Sequence, residues 1–380
     1  MIQSSQQKVK EEKHVDYIKA IDHFGCNDCS CFRIGASGCQ SGPELAARRY
    51  AVWREFSMKN KQERGRHRVL WGFLYVMTFA VVFVGSAAIK LTYNPLAKET
   101  QVNWNESVGS VYSDLSYGDG EANKFDLYVP ADKTKDAYGL VVYLHAGGFT
   151  AGDKKDDAEM LQWLCSKGYV AAGVNYTLFS EQNPNTSVYS QSIEIKNSIP
   201  AIVEEAGKLG YPLDRMAISG GSAGGCLALI YGYRDAAESP IPVKMIFEAV
   251  GPGSFHHQDW RCFGLDKSSE AASALFSAMA GKIITPEMIK ANDYEDEIRD
   301  ISPDLWVNET SVPLLCAYGA HDKMQPFEAS KPLIAALERY GIPHDYIVFP
   351  HSGHGLQNDN KCYAAYIDKI NAYLERYMGE

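Results

Sequence analysis

This chain has no internal repeat and no low-complexity tract, which excludes solenoid and propeller architectures. It also lacks any basic, aromatic-laced stretch, and its formal net charge is −10, so nucleic acid is excluded as a partner. Cysteine is scarce beyond the first quarter, limited there to Cys165, Cys226, Cys262, Cys316 and Cys362. An odd number cannot form a complete disulfide framework. Cys226 and Cys316 fall in apolar runs and read as small core residues. Cys262 with Cys362 is left as the one pairing to test. Long charge-free apolar runs are equally rare, with a single exception at Val69 to Ile89.

What is present concentrates at Gly220-Gly221-Ser222-Ala223-Gly224-Gly225. The apolar run Met216-Ala217-Ile218 precedes it and a helical pattern opens at Ala223, so a strand should turn sharply into a helix here. A serine at the centre of G-x-S-x-G between strand and helix is a nucleophile elbow. The turn forces the serine into a strained conformation, and side chains two residues to either side would collide with the backbone.

Three further segments carry chemistry in the order such an elbow needs. Leu140 to Leu144 reads as a buried strand running into His145-Ala146-Gly147-Gly148-Phe149. Backbone N–H groups of Gly147 and Gly148, with that of Ala223, are candidate donors to a tetrahedral oxyanion. Val312 to Tyr318 reads as another strand, followed by Gly319-Ala320-His321-Asp322, and Tyr346 to Phe349 as a last one, followed by Pro350-His351-Ser352-Gly353-His354-Gly355. Ser222 then Asp322 then His354 is the order of an α/β-hydrolase triad. His354 would take the serine proton while Asp322 holds the imidazole tautomer. His321 and His351 compete for the base role. His354 is preferred because its Gly-His-Gly turn frees it to reach Ser222.

From Val111 to Glu380 the sequence resembles the esterase–lipase branch of the α/β-hydrolase superfamily, related to hormone-sensitive lipase, bacterial carboxylesterases and acetylxylan esterases. The resemblance rests on Lys124 to Pro130, His145 to Phe149, Gly152-Asp153-Lys154, Val174-Asn175-Tyr176, Gly221 to Gly225, Asp322 and His354-Gly355. It implies a doubly wound, mostly parallel α/β sheet and a carboxylic ester hydrolase without cofactor or metal. The implied site is a Ser222, Asp322, His354 triad with oxyanion donors at Gly147, Gly148 and Ala223. Ala146 replaces the first glycine of the usual loop, which spares the donors. Gly221 replaces the acidic or hydroxyl residue usual before the nucleophile, which points toward the carboxylesterase and acetylxylan-esterase group. A serine peptidase of the prolyl-oligopeptidase type shares the triad order, and a silent hydrolase fold used for binding is a third reading. The substrate expected is a small-molecule or glycan-linked ester.

The chain divides into a basic, cysteine-containing region 1–68, an apolar segment 69–89, a linker 90–110 and a hydrolase domain 111–380 with a cap insertion at about 252–311. The charge-free segment spans about 30 Å as a helix and reads as a single membrane pass. Arg48, Arg49, Arg54, Lys59, Lys61, Arg64, Arg66 and Arg68 precede it, which places the N-terminus in the cytosol and the hydrolase outside. His23 with Cys26, Cys29, Cys31 and Cys39 leaves zinc, reduced thiols and lipid attachment open, with no metal assigned. Sequons stand at Asn105, Asn175, Asn185 and Asn308. Strands are expected near 124–129, 140–144, 169–175, 215–219, 244–250, 313–318 and 344–349. Helices are expected near 155–167, 192–209, 223–234, 327–340 and 361–377, with weaker ones at 268–280 and 286–292. In the insertion, Phe255, Trp260, Phe263, Phe276 and Met279 either line an acyl or alcohol pocket or pack the cap. The adjacent His256 and His257 are assigned no role.

Overall fold

The computed structural model describes residues 100–379 and, before them, Thr78 and Val82. The cysteine cluster at 26–39, the basic flank and nearly all of the apolar segment 69–89 lie outside the described residues. Among the described residues, no helix is long and apolar enough to cross a membrane. The chain divides into two units, 1–89 and 90–380.

Eight strands make one sheet: β1 (Gly109–Ser116), β2 (Lys124–Pro130), β3 (Tyr138–Leu144), β4 (Val170–Val174), β5 (Leu213–Gly221), β6 (Val243–Ala249), β7 (Leu314–Gly319) and β8 (His344–Phe349). Their order is β1-β2-β4-β3-β5-β6-β7-β8. The β1–β2 and β2–β4 pairs are antiparallel and the rest are parallel. Strands β3, β4 and β7, and residues 216–220 of β5, are almost wholly buried because helices cover both faces, so they carry no charged residue and show no apolar–polar alternation. The first strand was not expected. Its residues alternate little and are mostly exposed, because it is an edge that owes its place to hydrogen bonds with β2.

The principal helices are α1 (Ala158–Ser166), α2 (Val188–Lys208), α3 (Ala223–Ile230), α4 (Ser269–Ala280), α5 (Pro286–Ala291), α6 (Glu295–Ile298), α7 (Lys331–Tyr340) and α8 (Asn360–Met378). Helix α2 starts four residues before the expected 192, because the Ser187 hydroxyl accepts from the Ser190 N–H and Ser190 returns the bond. Helix α3 gives way at Tyr231–Asp235 to a π-helical turn. In α8 the stripe Tyr366, Ile367, Ile370, Tyr373 and Leu374 is buried against β-strand residues Phe247, Leu315 and Ala317. Ile195, Ile199 and Ile202 of α2 bury the opposite face. Two cores flank one sheet, so its carboxyl edge is a fixed platform.

The pairing of Cys262 with Cys362 fails. Cys262 is exposed and Cys362 half-buried, and both are free thiols, as are the other three described cysteines. Of the two readings for the cap aromatics, Phe255 and Phe276 take the packing one. They stack with Trp260 and Tyr294 in the interior of the cap, where four large rings bury more surface together than at a rim.

Candidate active site

Strand β5 ends at Gly221 and α3 begins at Ala223, so Ser222 alone makes the turn. Its backbone sits at φ 53°, ψ −119°, a region that L-residues rarely occupy. Neighbouring packing holds it there. A Cβ on Gly220 would lie 2.5 Å from the Gly224 carbonyl carbon, and one on Gly224 would lie 2.0 Å from the Leu144 oxygen. At Gly221 the nearest atom would be 4.0 Å away, so that glycine is not demanded by the turn. The Ser222 N–H donates to Ala249 O at 2.8 Å, tying the elbow to β6.

The structure brings Ser222, His354 and Asp322 together from the ends of β5, β8 and β7. His354 Nε2 lies 2.8 Å from Ser222 Oγ, and His354 Nδ1 lies 2.8 Å from Asp322 Oδ2. The imidazole is partly open to solvent, whereas the Asp322 side chain is only 1% exposed. Asp322 Oδ1 accepts the Met324 and Gln325 N–H groups at 2.8 and 3.0 Å, which leaves Oδ2 to the imidazole. The competing histidines point elsewhere. His351 Nδ1 is 2.8 Å from Asp359 Oδ1, and His321 is exposed, its N–H donating to Ser352 O.

Asp359 was missed by sequence reasoning and is what shapes the histidine loop. Its carboxylate accepts from the His351 N–H and from Ser352 Oγ, just before α8. An aspartate immediately before a helical pattern was the available signal.

On the other side of Ser222, Gly147 has φ 128° and a Cβ there would meet the Ala151 oxygen at 1.9 Å. Gly148 and Phe149 also have positive φ, at 60° and 67°. This run of unusual backbone is held by Gln191, whose Nε2 donates to Phe149 O at 2.9 Å and to Thr177 O at 2.8 Å. Nothing in the sequence marks Gln191, since its partners lie on two distant loops. Among the described residues, the N–H groups of Gly147, Gly148 and Ala223 are committed to no protein acceptor. All three residues line one cavity with Ser222 and His354. Its volume is about 530 Å³, and Trp260, Phe263 and Met279 of the cap also line it. His145 lies buried beneath, its ring stacked on Tyr176 at 4.3 Å, and burial holds its pKa below the usual range.

Other residues singled out in the sequence are structural. Lys154 is buried and its ammonium pairs with Asp114 at 2.7 Å and Asp126 at 3.2 Å. Asn175 uses its side chain on the Lys154 N–H and on Asp153, so this sequon is occupied by the fold. His256 pairs with Asp304 at 3.0 Å, and His257 Nδ1 meets the Tyr294 hydroxyl at 2.9 Å. Among the described residues, no group of three or more metal-ligating side chains is assembled.

Glu248 was also unforeseen. Fully buried on β6 near the first turn of α3, it accepts the Gly251 N–H at 2.8 Å through Oε2, and its Oε1 has no partner. Burial pushes its pKa up to about 8 from an ordinary 4.5. Across that window the unfolded carboxyl has lost its proton while the folded one keeps it, so this group lowers stability as pH rises from about 4.5 to about 8. Glu248→Gln should flatten that decline. Urea midpoints of both proteins at pH 5 and pH 8 check this, and an unchanged difference between the two pH values would refute it.

A serine at the β5–α3 turn, an acid after β7 and a histidine after β8 on such a sheet define an α/β-hydrolase. The BD-FAE family model matches residues 125–337, more than half of the chain, and the chain belongs to the BD-FAE family. Dipeptidyl aminopeptidase BIII of Pseudoxanthomonas mexicana is 25% identical over 232 residues, covering 60% of this chain and 32% of that protein. Probable carboxylic ester hydrolase LipM of Mycobacterium tuberculosis is 22% identical over 256 residues, covering 64% and 56% respectively. The chain thus spans about a third to somewhat over half the length of these curated relatives. The esterase Est2 of Thermogutta terrifontis shares the fold with a TM-score of 0.56 at 19% identity, over 72% of this chain and 94% of its own.

Proposed function

We propose that this protein is a carboxylic ester hydrolase that works through an acyl-enzyme on Ser222. The carrying observation is the continuous link from Asp322 through His354 to the Ser222 hydroxyl, opening on three uncommitted amides. Ser222 Oγ attacks the ester carbonyl carbon while its proton passes to His354 Nε2. The carbonyl oxygen becomes an anion held by the N–H groups of Gly147, Gly148 and Ala223. Collapse breaks the bond to the alcohol oxygen, which leaves with the proton from His354. Water then repeats the sequence on the acyl-enzyme, releasing the acid and restoring the serine.

A peptidase reading draws support from the aminopeptidase relative. The cavity argues for the ester. Among the described residues no carboxylate lines it, so the ammonium of a peptide N-terminus would be desolvated there without a counter-charge. The deciding experiment compares a short p-nitrophenyl ester with a dipeptide p-nitroanilide. The ester should be cleaved far faster, and the reverse ranking would make the protein a peptidase. Failure of a fluorophosphonate to label the protein would instead favour a silent binding fold.

The segment 69–89 supports a second part of this reading, a single membrane pass with the hydrolase domain on the non-cytosolic side. It carries no charge, follows a basic flank, and its two described positions, Thr78 and Val82, are helical and exposed. Retention of the full chain in membranes through an alkaline carbonate wash is the expected result. Its release by that wash would rule the anchor out.

A further inference from the structure

A second cavity of about 220 Å³ adjoins the first, and the two share Gly148, Phe149, Thr150, Leu275 and Met279 as walls. Beyond that shared wall it is lined by Phe179 and Thr186, by Val188 and Gln191 of α2, and by Ala278 of α4. Among the described residues no charged side chain lines it. The one amide there is 1% exposed, with its nitrogen already committed to Phe149 O and Thr177 O. Phe179 nevertheless leaves 43% of its surface in water at this rim. An apolar chamber that shares a wall with the cavity of the reactive serine, rimmed by a half-exposed aromatic ring, is built to take apolar matter from the substrate.

We infer that this chamber is the distal acyl subsite, and that it takes the far end of a medium-length apolar acyl chain. This rests on the ester-hydrolase reading. The assignment to the acyl limb follows from where the proton must go. The alcohol oxygen has to lie within reach of His354 Nε2, and His354, Met324 and Gln325 line only the first cavity. The second cavity contains none of these and is reached along the glycine loop, past Gly148 and Phe149. The limb that enters it is the one pointing away from the histidine. An apolar cavity of about 150 Å³ accepts benzene, so this one has room for about six to eight carbons. With the carbonyl and its neighbouring carbon in the first cavity, the fitting acyl group has roughly eight to ten carbons. Leu275 and Met279 stand at the junction, and the unbranched, flexible Met279 side chain suits a gate that must fit chains of different shape.

The test is acyl selectivity, read as the ratio of kcat/KM for p-nitrophenyl octanoate to that for p-nitrophenyl acetate. Each methylene buried is worth about fourfold in binding, so a subsite of this size should make the wild type favour octanoate. Val188→Phe fills the chamber from its buried wall, and Ala278→Trp covers it from an exposed position that leaves the core intact. In both, the octanoate-to-acetate ratio should fall by about tenfold or more. A second readout needs no catalysis. Decanoate should raise the wild-type melting temperature more than butyrate does, and the variants should lose that difference. A ratio that stays within about twofold of wild type in both variants, with decanoate protection retained, overturns the subsite. A wild type that binds decanoate but cleaves neither ester would leave the chamber standing and overturn the ester-hydrolase reading.

Discussion

Ser222→Ala should lower kcat on a short p-nitrophenyl ester by about 10⁴- to 10⁶-fold with little change in KM. The Ser222 hydroxyl has one partner, His354 Nε2 at 2.8 Å, whereas the other hydroxyl lining the main cavity, that of Thr150, donates to Gly147 O at 3.4 Å and has no imidazole beside it. Without it the ester still binds and the amides of Gly147, Gly148 and Ala223 still face it, so the residual rate is what those donors give to attack by water. The fold should be unaffected. Alanine carries the same Cβ at φ 53°, and packing at Gly220 and Gly224 is untouched, so the melting temperature serves as the control. A loss below about tenfold at unchanged melting temperature would remove Ser222 from the mechanism.

Asp322→Asn should cost about 10⁴-fold in kcat, and the surrounding backbone explains why the substitution is not conservative. Oδ1 of Asp322 accepts two N–H groups, from Met324 and Gln325. An asparagine must place its carbonyl oxygen there, because its amide nitrogen cannot accept. The NH₂ group then faces His354 Nδ1 and donates to it. The imidazole proton is driven to Nε2, which now donates toward Ser222 and cannot take the serine proton. Geometry survives while the tautomer is wrong. KM should move little, and a kcat within about tenfold of wild type would show that Asp322 does not orient the base.

Both results depend on features that were readable before any coordinates, for a physical reason. A sharp strand-to-helix turn demands that Gly220 and Gly224 lack side chains, and a strand buried on both faces demands unbroken apolar residues. These are local requirements of a few consecutive residues, so composition and spacing record them. The order of serine, acid and histidine along the chain is likewise a one-dimensional property. For that reason β2 to β8, the elbow and the glycine loop were all legible.

Contacts between distant segments were not. The Asp359 carboxylate pairs with His351 and holds the loop on which His354, 132 positions further along the chain, lies against Ser222. The β1 edge strand has a weak apolar pattern because its stability is borrowed from β2. Gln191 pins the glycine loop through two carbonyls whose positions no local pattern encodes. Phe255 and Phe276 look like Trp260 and Met279 in the sequence, yet the first pair is sealed inside the cap while the second also lines the cavity that holds the serine. Local backbone demands were thus written in residue type. Which side chains meet, and which cavity they leave between them, came from the way helices of both faces and the cap settle on one sheet.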